Sequence, residues 1–424
     1  MARHFGEPQF FGETRNMHRR DFLAASVMGL AGAAGSFAAQ PKKKIAAVVT
    51  EYVDDVHLKS HAAVIVGRLL EGYLPNGVPT QPQTQIVSMY TDQVPSNDLS
   101  RGLAAKYGFR IYPTVKEALT LGGDKLAVDG VVFVGEHGDY PSNDLGQKLY
   151  PRFELYSKIV DVFRASGRSV PVYSDKHFSY SWQKAKQMYD WSRELKFPLM
   201  AGSSIPVTVR VPPLELALGC RLEHAVSVGY GDLDAYGFHT LEALQCMVER
   251  RQGAETGVAA VEWVEGDAVW QWRASEAGRW SAPLLEAALA TNPDVKPGRP
   301  EDNCKHPVLF LLTYRDGFRT ASYLLQGHEE GFLFAAQQHG NPHPLAMRYI
   351  FASGGRQLVH FDALVYCVEQ MFLTGKPLYP VERTLLTTGA LSFLFQSRRE
   401  KQRLDTPELN IVYRAPQHAY FETA

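Results

Sequence analysis

Histidines and carboxylates that could hold a metal ion are concentrated in three short segments of the sequence. His57 and His61 are four residues apart, which places both imidazoles on one face if that segment is helical. Glu136, His137 and His177 belong to two later segments. One hypothesis is a divalent metal held by His57, His61, Glu136 and His137, which would suit lyase or hydrolase chemistry on an oxidised sugar.

The elements that would position these residues follow an alternating pattern of strands and helices. We expect strands at residues 45–50, 85–90, 111–112, 128–134, 170–173 and 197–201. We expect helices at residues 61–73, 99–107, 114–121, 153–165 and 181–195. This alternation predicts an α/β fold with a doubly wound parallel sheet of the Rossmann type, in which the polar segments meet at one sheet edge.

The pattern changes after about residue 205, where Ser203, Ser204, Pro206, Pro212 and Pro213 mark a boundary. Strand character returns at 258–270, 308–325, 324–334 and 345–351, and Arg315-Asp316-Gly317 indicates a hairpin turn. Helical patterns cover 239–250 and 361–374. The second half is therefore expected to be an α+β domain with a mainly antiparallel sheet, giving domains at 41–205 and 206–424.

Composition and charge narrow the class of partner. The 424 residues include 44 Lys and Arg against 45 Asp and Glu, a formal net charge of −1. No general field would attract nucleic acid or an anionic membrane, so a small molecule is the expected partner. The four cysteines are far apart in the sequence, and we expect buried thiols rather than a zinc or redox motif.

The first 40 residues have the pattern of an export signal. Arg19-Arg20 precedes an apolar stretch rich in Ala and Gly, and Lys42, Lys43 and Lys44 follow it. This pattern predicts a twin-arginine signal peptide and a periplasmic or secreted protein. The stretch is shorter and less apolar than a membrane span, although an uncleaved anchoring helix stays open as the alternative.

Five short motifs along the chain match the pattern of one known family. They are Ala104-Ala105-Lys106-Tyr107-Gly108, Val128-Asp129-Gly130-Val131, Ser174-Asp175-Lys176, Asp234-Ala235-Tyr236-Gly237-Phe238-His239 and Thr374-Gly375-Lys376-Pro377. Together they resemble the glucose-fructose oxidoreductase, inositol dehydrogenase and MocA family, with the third motif at the place of the family's Glu-Lys-Pro signature. The resemblance runs over most of the chain after the signal.

The resemblance implies an oxidoreductase that moves a hydride between NAD or NADP and a sugar, polyol or related carbinol. It implies that Lys176 steadies the alkoxide, that His239 is the general acid and base, and that Asp234 orients His239. A surface lysine and a helix-capping histidine would explain two of these residues equally well. The resemblance also implies a homo-oligomer.

The resemblance places the cofactor beside Thr50, Tyr52, Asp92, Glu136, His137 and Asp175. However, residues 50–61 contain no glycine, whereas the family's turn after the first strand is glycine-rich. Glu51, Asp54 and Asp55 carry carboxylates that would repel a pyrophosphate, which argues against tight NAD binding in the ordinary pose. A non-catalytic sugar-binding protein on the same fold therefore remains a third hypothesis beside the redox and metal ones.

Overall fold

A six-stranded parallel sheet forms the N-terminal part of the computed structural model, which describes residues 41–54, 59–353 and 356–422. Its strands are β1 (Lys43–Val49), β2 (Thr84–Thr91), β3 (Arg110–Ile111), β4 (Gly130–Val134), β5 (Val172–Asp175) and β6 (Leu199–Gly202). The helices are α1 (His61–Glu71), α2 (Ser100–Tyr107), α3 (Val115–Thr120), α4 (Arg152–Ser166) and α5 (Trp182–Glu194). The strand order β3-β2-β1-β4-β5-β6 is that of a doubly wound Rossmann sheet, which confirms the expected fold class.

Local sequence explains why these elements begin and end where they do. The central strands β1 and β4 are apolar because helices cover both faces of the sheet. The Ser60 hydroxyl accepts the Ala63 N–H and caps α1, and Thr114 caps α3 in the same way. Gly167 ends α4 in the left-handed conformation that glycine adopts without strain. Because all six strands are parallel, their carboxyl ends lie at one edge of the sheet.

An eight-stranded, mainly antiparallel sheet dominates the C-terminal part, in the order β16-β9-β10-β11-β8-β12-β13-β7. The strands of this part are β7 (Val209–Val211), β8 (Leu222–Gly229), β9 (Val258–Glu265), β10 (Val308–Tyr314), β11 (Arg319–Leu324), β12 (Leu333–Gln338), β13 (Leu345–Ile350) and β16 (Leu404–Asp405), with β14 (Ala352–Ser353) and β15 (Arg356–Gln357) forming a separate pair. The helices are α6 (Ala235–Val248), α7 (Asp267–Ala274), α8 (Ser281–Leu289), α9 (Pro300–Asn303), α10 (Val359–Thr374) and α11 (Val381–Glu400). One pair, β8 with β11, is parallel.

The structure corrects two of the expected strands in this part. The strand expected at 258–270 ends at Glu265, because Gly266 has a φ of 65° and the chain then enters α7. The strand expected at 324–334 is replaced by a turn, and β12 begins only at Leu333. The hairpin at 315–317 is confirmed, since β10 and β11 pair on either side of it.

The C-terminal helices return to pack against the N-terminal part. Nε of Arg68 on α1 donates to Oδ1 of Asp362 on α10 at 2.8 Å, and the Tyr73 hydroxyl donates to Glu369 at 2.6 Å. The described residues from Lys42 onward belong to one compact unit, and the domain boundary near residue 205 stays a prediction.

All four cysteines are buried and unpaired, as expected from their spacing in the sequence. In the part of the chain that the structure describes, no helix combines the length and the apolar character that crossing a membrane requires.

Candidate active site

A cleft of about 490 Å³ lies where the carboxyl edge of the parallel sheet faces the start of α6. Glu136, Lys176 and His177 line it from the sheet, and Asp234 and His239 line it from the C-terminal part. In doubly wound folds, ligands bind at this edge of the sheet. The cleft therefore unites side chains that are far apart in the sequence at the place where the fold favours a ligand.

Lys176 lies at the centre of a buried group of charged side chains. Its Nζ is 2.9 Å from Nε2 of His61 and 3.5 Å from Oε1 of Glu136. Nδ1 of His61 is in turn 2.7 Å from Oδ2 of Asp175. The Lys176 side chain is only 4% exposed, so these neighbours rather than water balance its charge.

The backbone is strained at three residues that line the cleft, one of which is Leu358 with a φ of 57°. Lys176 has a φ of 60° and His137 a φ of 70°, in the left-handed region that residues with a Cβ avoid. Such a conformation costs on the order of 1–3 kcal/mol and persists only where the surrounding structure enforces it. The Lys176 N–H donates to the Gly202 carbonyl at 3.2 Å, which helps to hold this conformation. Strain of this kind is concentrated at functional sites.

The two carboxylates near Lys176 remain ionised despite their burial. Burial acts to raise the pKa of Glu136, but the cations of Lys176 and Arg152 outweigh it and hold that pKa well below its usual range. Burial likewise opposes ionisation of Asp175, and His61 and Lys176 overcome it and lower the pKa. The cleft therefore holds fixed negative charges behind a fixed ammonium group.

Arg152 connects Glu136 to the opposite wall of the cleft. Its guanidinium donates to Oε2 of Glu136 and contacts Nε2 of His177 at 2.9 Å. That nitrogen is 3.7 Å from Oδ1 of Asp234. Burial raises the pKa of Asp234 to about 7, so this carboxyl group can carry a proton near neutral pH. It is a candidate general acid.

The expected pairing of Asp234 with His239 is wrong. Oδ2 of Asp234 instead accepts the backbone N–H of Lys148 at 3.2 Å. Nδ1 of His239 is 2.6 Å from the hydroxyl of Ser203. The physical reason is helical spacing, since residues five apart on a helix point about 140° away from each other. Ser203 is therefore the partner that orients His239 within the cleft.

Five buried polar atoms of cleft residues have no hydrogen-bond partner among the described residues. They are Nε2 of His137, Nε of Arg152, Nδ1 of His177, Oδ1 of Asp234 and Nδ1 of His360. Buried polar groups are normally paired, and an unpaired one costs about 1–3 kcal/mol. Burial lowers the pKa of His137 to about 4 and that of His360 to about 3, so both imidazoles are neutral at pH 7. These atoms are suited to a ligand rich in hydroxyl groups.

Aromatic side chains form the apolar wall of the cleft. Tyr236 stacks on Phe332 with the ring planes 25° apart, and Tyr230 contacts both rings. Phe351 and Phe361 also line the cleft. An apolar wall facing a few fixed polar groups is the usual construction of a small-molecule site.

Four of the residues expected to bind the cofactor do not line this cleft, namely Thr50, Tyr52, Asp92 and Asp175, the last of which lies buried behind His61. Both carboxylate oxygens of Asp92 are occupied, because the hydroxyls of Tyr90 and Tyr140 donate to them at 2.7 Å. The Thr50 hydroxyl is buried and donates to the Glu136 carbonyl at 2.6 Å. Tyr52 is buried and does not line the cleft.

A contact between two loops joins the segments after β2 and β4, on the side of the sheet where doubly wound folds bind the adenosine of a dinucleotide. Gln93 follows β2, and Asp139 follows β4. The Gln93 side-chain amide donates to the Asp139 carbonyl at 3.0 Å, and its oxygen accepts the Asp139 N–H at 2.8 Å. Together with the Tyr140–Asp92 bond, this contact is here called the loop clamp. At the turn after β1, Glu51 is buried, and burial raises its pKa. At this edge the described residues place Glu51, the loop clamp and a doubly hydrogen-bonded Asp92 where a glycine-rich turn and a ribose acceptor would hold a dinucleotide, so they disfavour its ordinary pose.

The residues of the metal hypothesis are only partly brought together. His61 and His137 have ring centroids 5.2 Å apart, and both line the cleft with Glu136. His57 lies outside the described residues. Among the residues that are described, no group of three or more histidines, cysteines and carboxylates is arranged to hold a metal ion.

Several solved structures share this fold at low sequence identity. GenD2 from gentamicin A biosynthesis, in complex with NAD, is 13% identical, with 86% of this chain and 96% of that chain covered and a TM-score of 0.54. The myo-inositol dehydrogenase of Lactobacillus casei, in complex with NAD(H) and myo-inositol, is 10% identical, with 90% and 100% covered and a TM-score of 0.53. An oxidoreductase from Agrobacterium radiobacter, in complex with NAD+, L-tartaric acid and magnesium, is 12% identical, with 86% and 98% covered and a TM-score of 0.52.

This chain shares their fold. The likeness covers both sheets, and it agrees with the two-sheet architecture that the sequence resemblance implies. No family model matches the sequence, and neither does any curated protein. The comparisons therefore establish the architecture and leave the chemistry to be argued from the cleft.

Sequence reasoning missed the residues that organise the cleft. It assigned His61 only to a metal site and gave no role to Arg152 or Ser203. Arg152 follows Tyr150-Pro151 at the start of a helix, and an arginine there is usually exposed, so its burial carried no sequence signal. For His61, the signal was its position in the first turn of α1, which points toward the sheet edge where Lys176 also lies.

Proposed function

We propose that this chain is an oxidoreductase-like enzyme that acts on a sugar, a polyol or a related carbinol by hydride transfer, with NAD or NADP as the cofactor. The observation that carries the proposal is the meeting of Lys176 and His239 in one cleft at the carboxyl edge of a Rossmann sheet. Structures that share the fold include complexes with NAD and with myo-inositol, which supports the proposal by analogy of fold.

The residues of the cleft have distinct roles in this proposal. The ammonium of Lys176 stabilises the alkoxide that a carbinol forms as its hydrogen leaves. His239, oriented by Ser203, takes the hydroxyl proton, and its pKa is held well below the usual range by burial and by Lys176. Asp234 binds a substrate hydroxyl through its unpaired oxygen. When bound, the nicotinamide would supply the hydride acceptor.

A second candidate is non-redox lyase or hydrolase chemistry on an oxidised sugar. The loop clamp is the observation that favours it, because a contact across the place of the adenosine disfavours a dinucleotide in the ordinary pose. Asp234, with a pKa of about 7, suits a general acid in such a reaction. A sugar-binding protein without catalysis is the remaining candidate.

Cofactor release tests these candidates directly. The purified full-length chain is denatured, and the supernatant is examined for nicotinamide absorbance and fluorescence, while native protein is titrated with NADH and NADPH. Released or bound nicotinamide is the expected result. If nicotinamide is neither released nor bound, the redox proposal is removed. Elemental analysis of the same sample would then test for a metal.

Two further proposals concern the whole protein. We propose that residues 1–40 direct twin-arginine export to the periplasm or beyond, which cell fractionation of an Arg19→Lys, Arg20→Lys variant would test. We also propose a homo-oligomer, by analogy with the resembled family. Light scattering of the purified chain at several concentrations would give its mass in solution.

A further inference from the structure

His61 is placed to act as a base, a role separate from the metal ligand that the sequence suggested. It is the first residue of α1, and its imidazole lines the cleft. With Nδ1 donating to Asp175 at 2.7 Å, Nε2 is left as the proton acceptor. This is the arrangement of a histidine whose tautomer is fixed by a carboxylate, as in hydrolase triads.

The Lys176 ammonium lies directly beside that acceptor. Its Nζ lies over the His61 ring, 2.9 Å from Nε2 and 3.1 Å from Nδ1, and Glu136 and Asp175 compensate its charge on the buried side. A carbonyl oxygen and the hydrogen on the adjacent carbon are close neighbours in any keto sugar. A carbonyl oxygen that binds Nζ from the cleft would therefore bring that hydrogen close to Nε2.

We propose that the cleft catalyses cofactor-independent exchange of the hydrogen next to the carbonyl of a keto sugar or keto polyol. Nε2 of His61 takes the proton, and the electron pair of the C–H bond forms a carbon–carbon double bond. The carbonyl electrons move to oxygen, and Lys176 holds the resulting enolate. Return of a proton from His61, after exchange with solvent, restores the ketone without any oxidant or reductant.

Neighbouring groups support this assignment. His137 and His360 face the same cleft and are neutral at pH 7, so they do not add to the positive charge beside His61. The His61 ring is fixed against the edge of Phe361, with centroids 4.9 Å apart. The inference rests on sugar or polyol binding from the proposed function and is independent of its hydride step.

Deuterium exchange provides the test. The full-length chain, freed of nucleotide, is incubated in D₂O with dihydroxyacetone and with 2-keto-myo-inositol, and proton NMR follows loss of the signal next to the carbonyl. We expect exchange faster than in a protein-free blank. We expect the His61→Ala variant to be slower by about 100-fold or more, the usual contribution of a general base.

The controls separate chemistry from folding. His224→Gln removes another histidine, stacked on Trp280 in the C-terminal part, and should exchange at the wild-type rate. Circular dichroism checks that His61→Ala folds, and His61→Asn serves as a second variant. Added imidazole should restore part of the His61→Ala rate, because the small base can occupy the vacated space.

The outcomes are distinct. No exchange above the blank, or an unchanged rate in both His61 variants, overturns the inference. Exchange that requires added NAD+ also overturns it, while the proposed redox function stands. Exchange in protein that neither releases nor binds nicotinamide supports the inference and removes the redox proposal.

Discussion

Asp234 is a cleft residue whose charge should respond to pH near neutrality. Its pKa is raised by burial from 3.8 to about 7. The contribution of such a carboxyl to the stability of the folded state is fully present below its pKa in the unfolded chain. That contribution is lost as the pH rises through its folded pKa of about 7.

Replacing Asp234 with Asn should therefore stabilise the protein, relative to wild type, increasingly between about pH 4 and pH 8. The change is about 1.4 kcal/mol for each unit by which folding shifts the pKa. Urea unfolding of both proteins at several pH values measures it. A stability difference that does not vary with pH would contradict the assignment.

The contribution of Glu136 to stability should depend on pH in the opposite direction. Despite its burial, Lys176 and Arg152 hold its pKa well below 4.5, so its contribution is present above the unfolded pKa and is lost as the pH falls. Glu136→Gln removes the anion that the buried Lys176 and Arg152 share, and should lower the free energy of unfolding at pH 7 by about 3–5 kcal/mol.

The matched control is Glu154→Gln. Glu154 pairs with Lys184 at 2.6 Å, but its side chain is 50% exposed, and such pairs contribute about 0–1 kcal/mol. Chemical denaturation at pH 7 compares the two variants. Equal losses of stability would show that the Glu136 pair is not the buried ionic centre of the cleft.

The sequence could predict only some of the residues that meet in the cleft. Lys176 and His239 were found because both coincide with family motifs. The partner of His239 could not be found, since Ser203 precedes it by 36 positions and a serine carries no distinctive pattern. Burial of Arg152 depends on tertiary packing, which composition and spacing do not report.

At the scale of elements, the loop clamp makes a prediction about cofactor binding. A Gln93→Ala, Tyr140→Phe double variant removes its side-chain bonds and should open the groove beside Asp92. We expect NADH to bind about tenfold more tightly or better, since each bond lost contributes roughly 1 kcal/mol to the closed state. Fluorescence titration of NADH measures the affinity.

Tyr90→Phe is the control for the loop clamp. Tyr90 donates to the same carboxylate of Asp92, but it belongs to β2 and does not join the two loops. Its removal should leave NADH affinity close to wild type. Equal affinity in all three proteins would mean that the clamp does not limit access to the groove.

The packing of α6 on β8 makes a second prediction. A Cβ at Gly229 would lie 2.0 Å from Oγ1 of Thr240, so only glycine permits this close approach. Gly229→Ala should cost more than about 2 kcal/mol of unfolding free energy by shifting the helix that carries His239.

Gly102→Ala is the corresponding control, because its Cβ would meet nothing within 4 Å in α2. Alanine there should stabilise the protein by up to about 1 kcal/mol. Urea unfolding compares both variants with wild type. A neutral Gly229→Ala would contradict the described contact between α6 and β8.

The alternation of strands and helices could be predicted from the sequence because buried parallel strands are continuous apolar runs. The C-terminal strands were harder to place, since Gly266 ends β9 early and residues 325–332 form a turn between β11 and β12. The 20 residues of α11 show little amphipathic pattern because this helix is buried on several sides. Its burial against both parts of the chain is a property of the folded whole.

At the scale of the whole molecule, we propose the cleft as the centre of chemistry on a carbinol. The two sheets and the returning helices α10 and α11 bring its residues together, and the fold is shared with NAD-bound structures. The charged group around Lys176 is the part of the cleft on which every proposed reaction depends.

The most direct test mixes the full-length chain with NAD+ or NADP+ and a panel of polyols and sugars, and follows the absorbance of reduced nicotinamide. We predict that at least one compound gives reduced cofactor, and that Lys176→Met lowers the rate by about 100-fold or more. Lys158→Met, which changes a lysine of α4 that does not line the cleft, is the control. No reduction with any compound, or equal rates in wild type and Lys176→Met, would contradict the account.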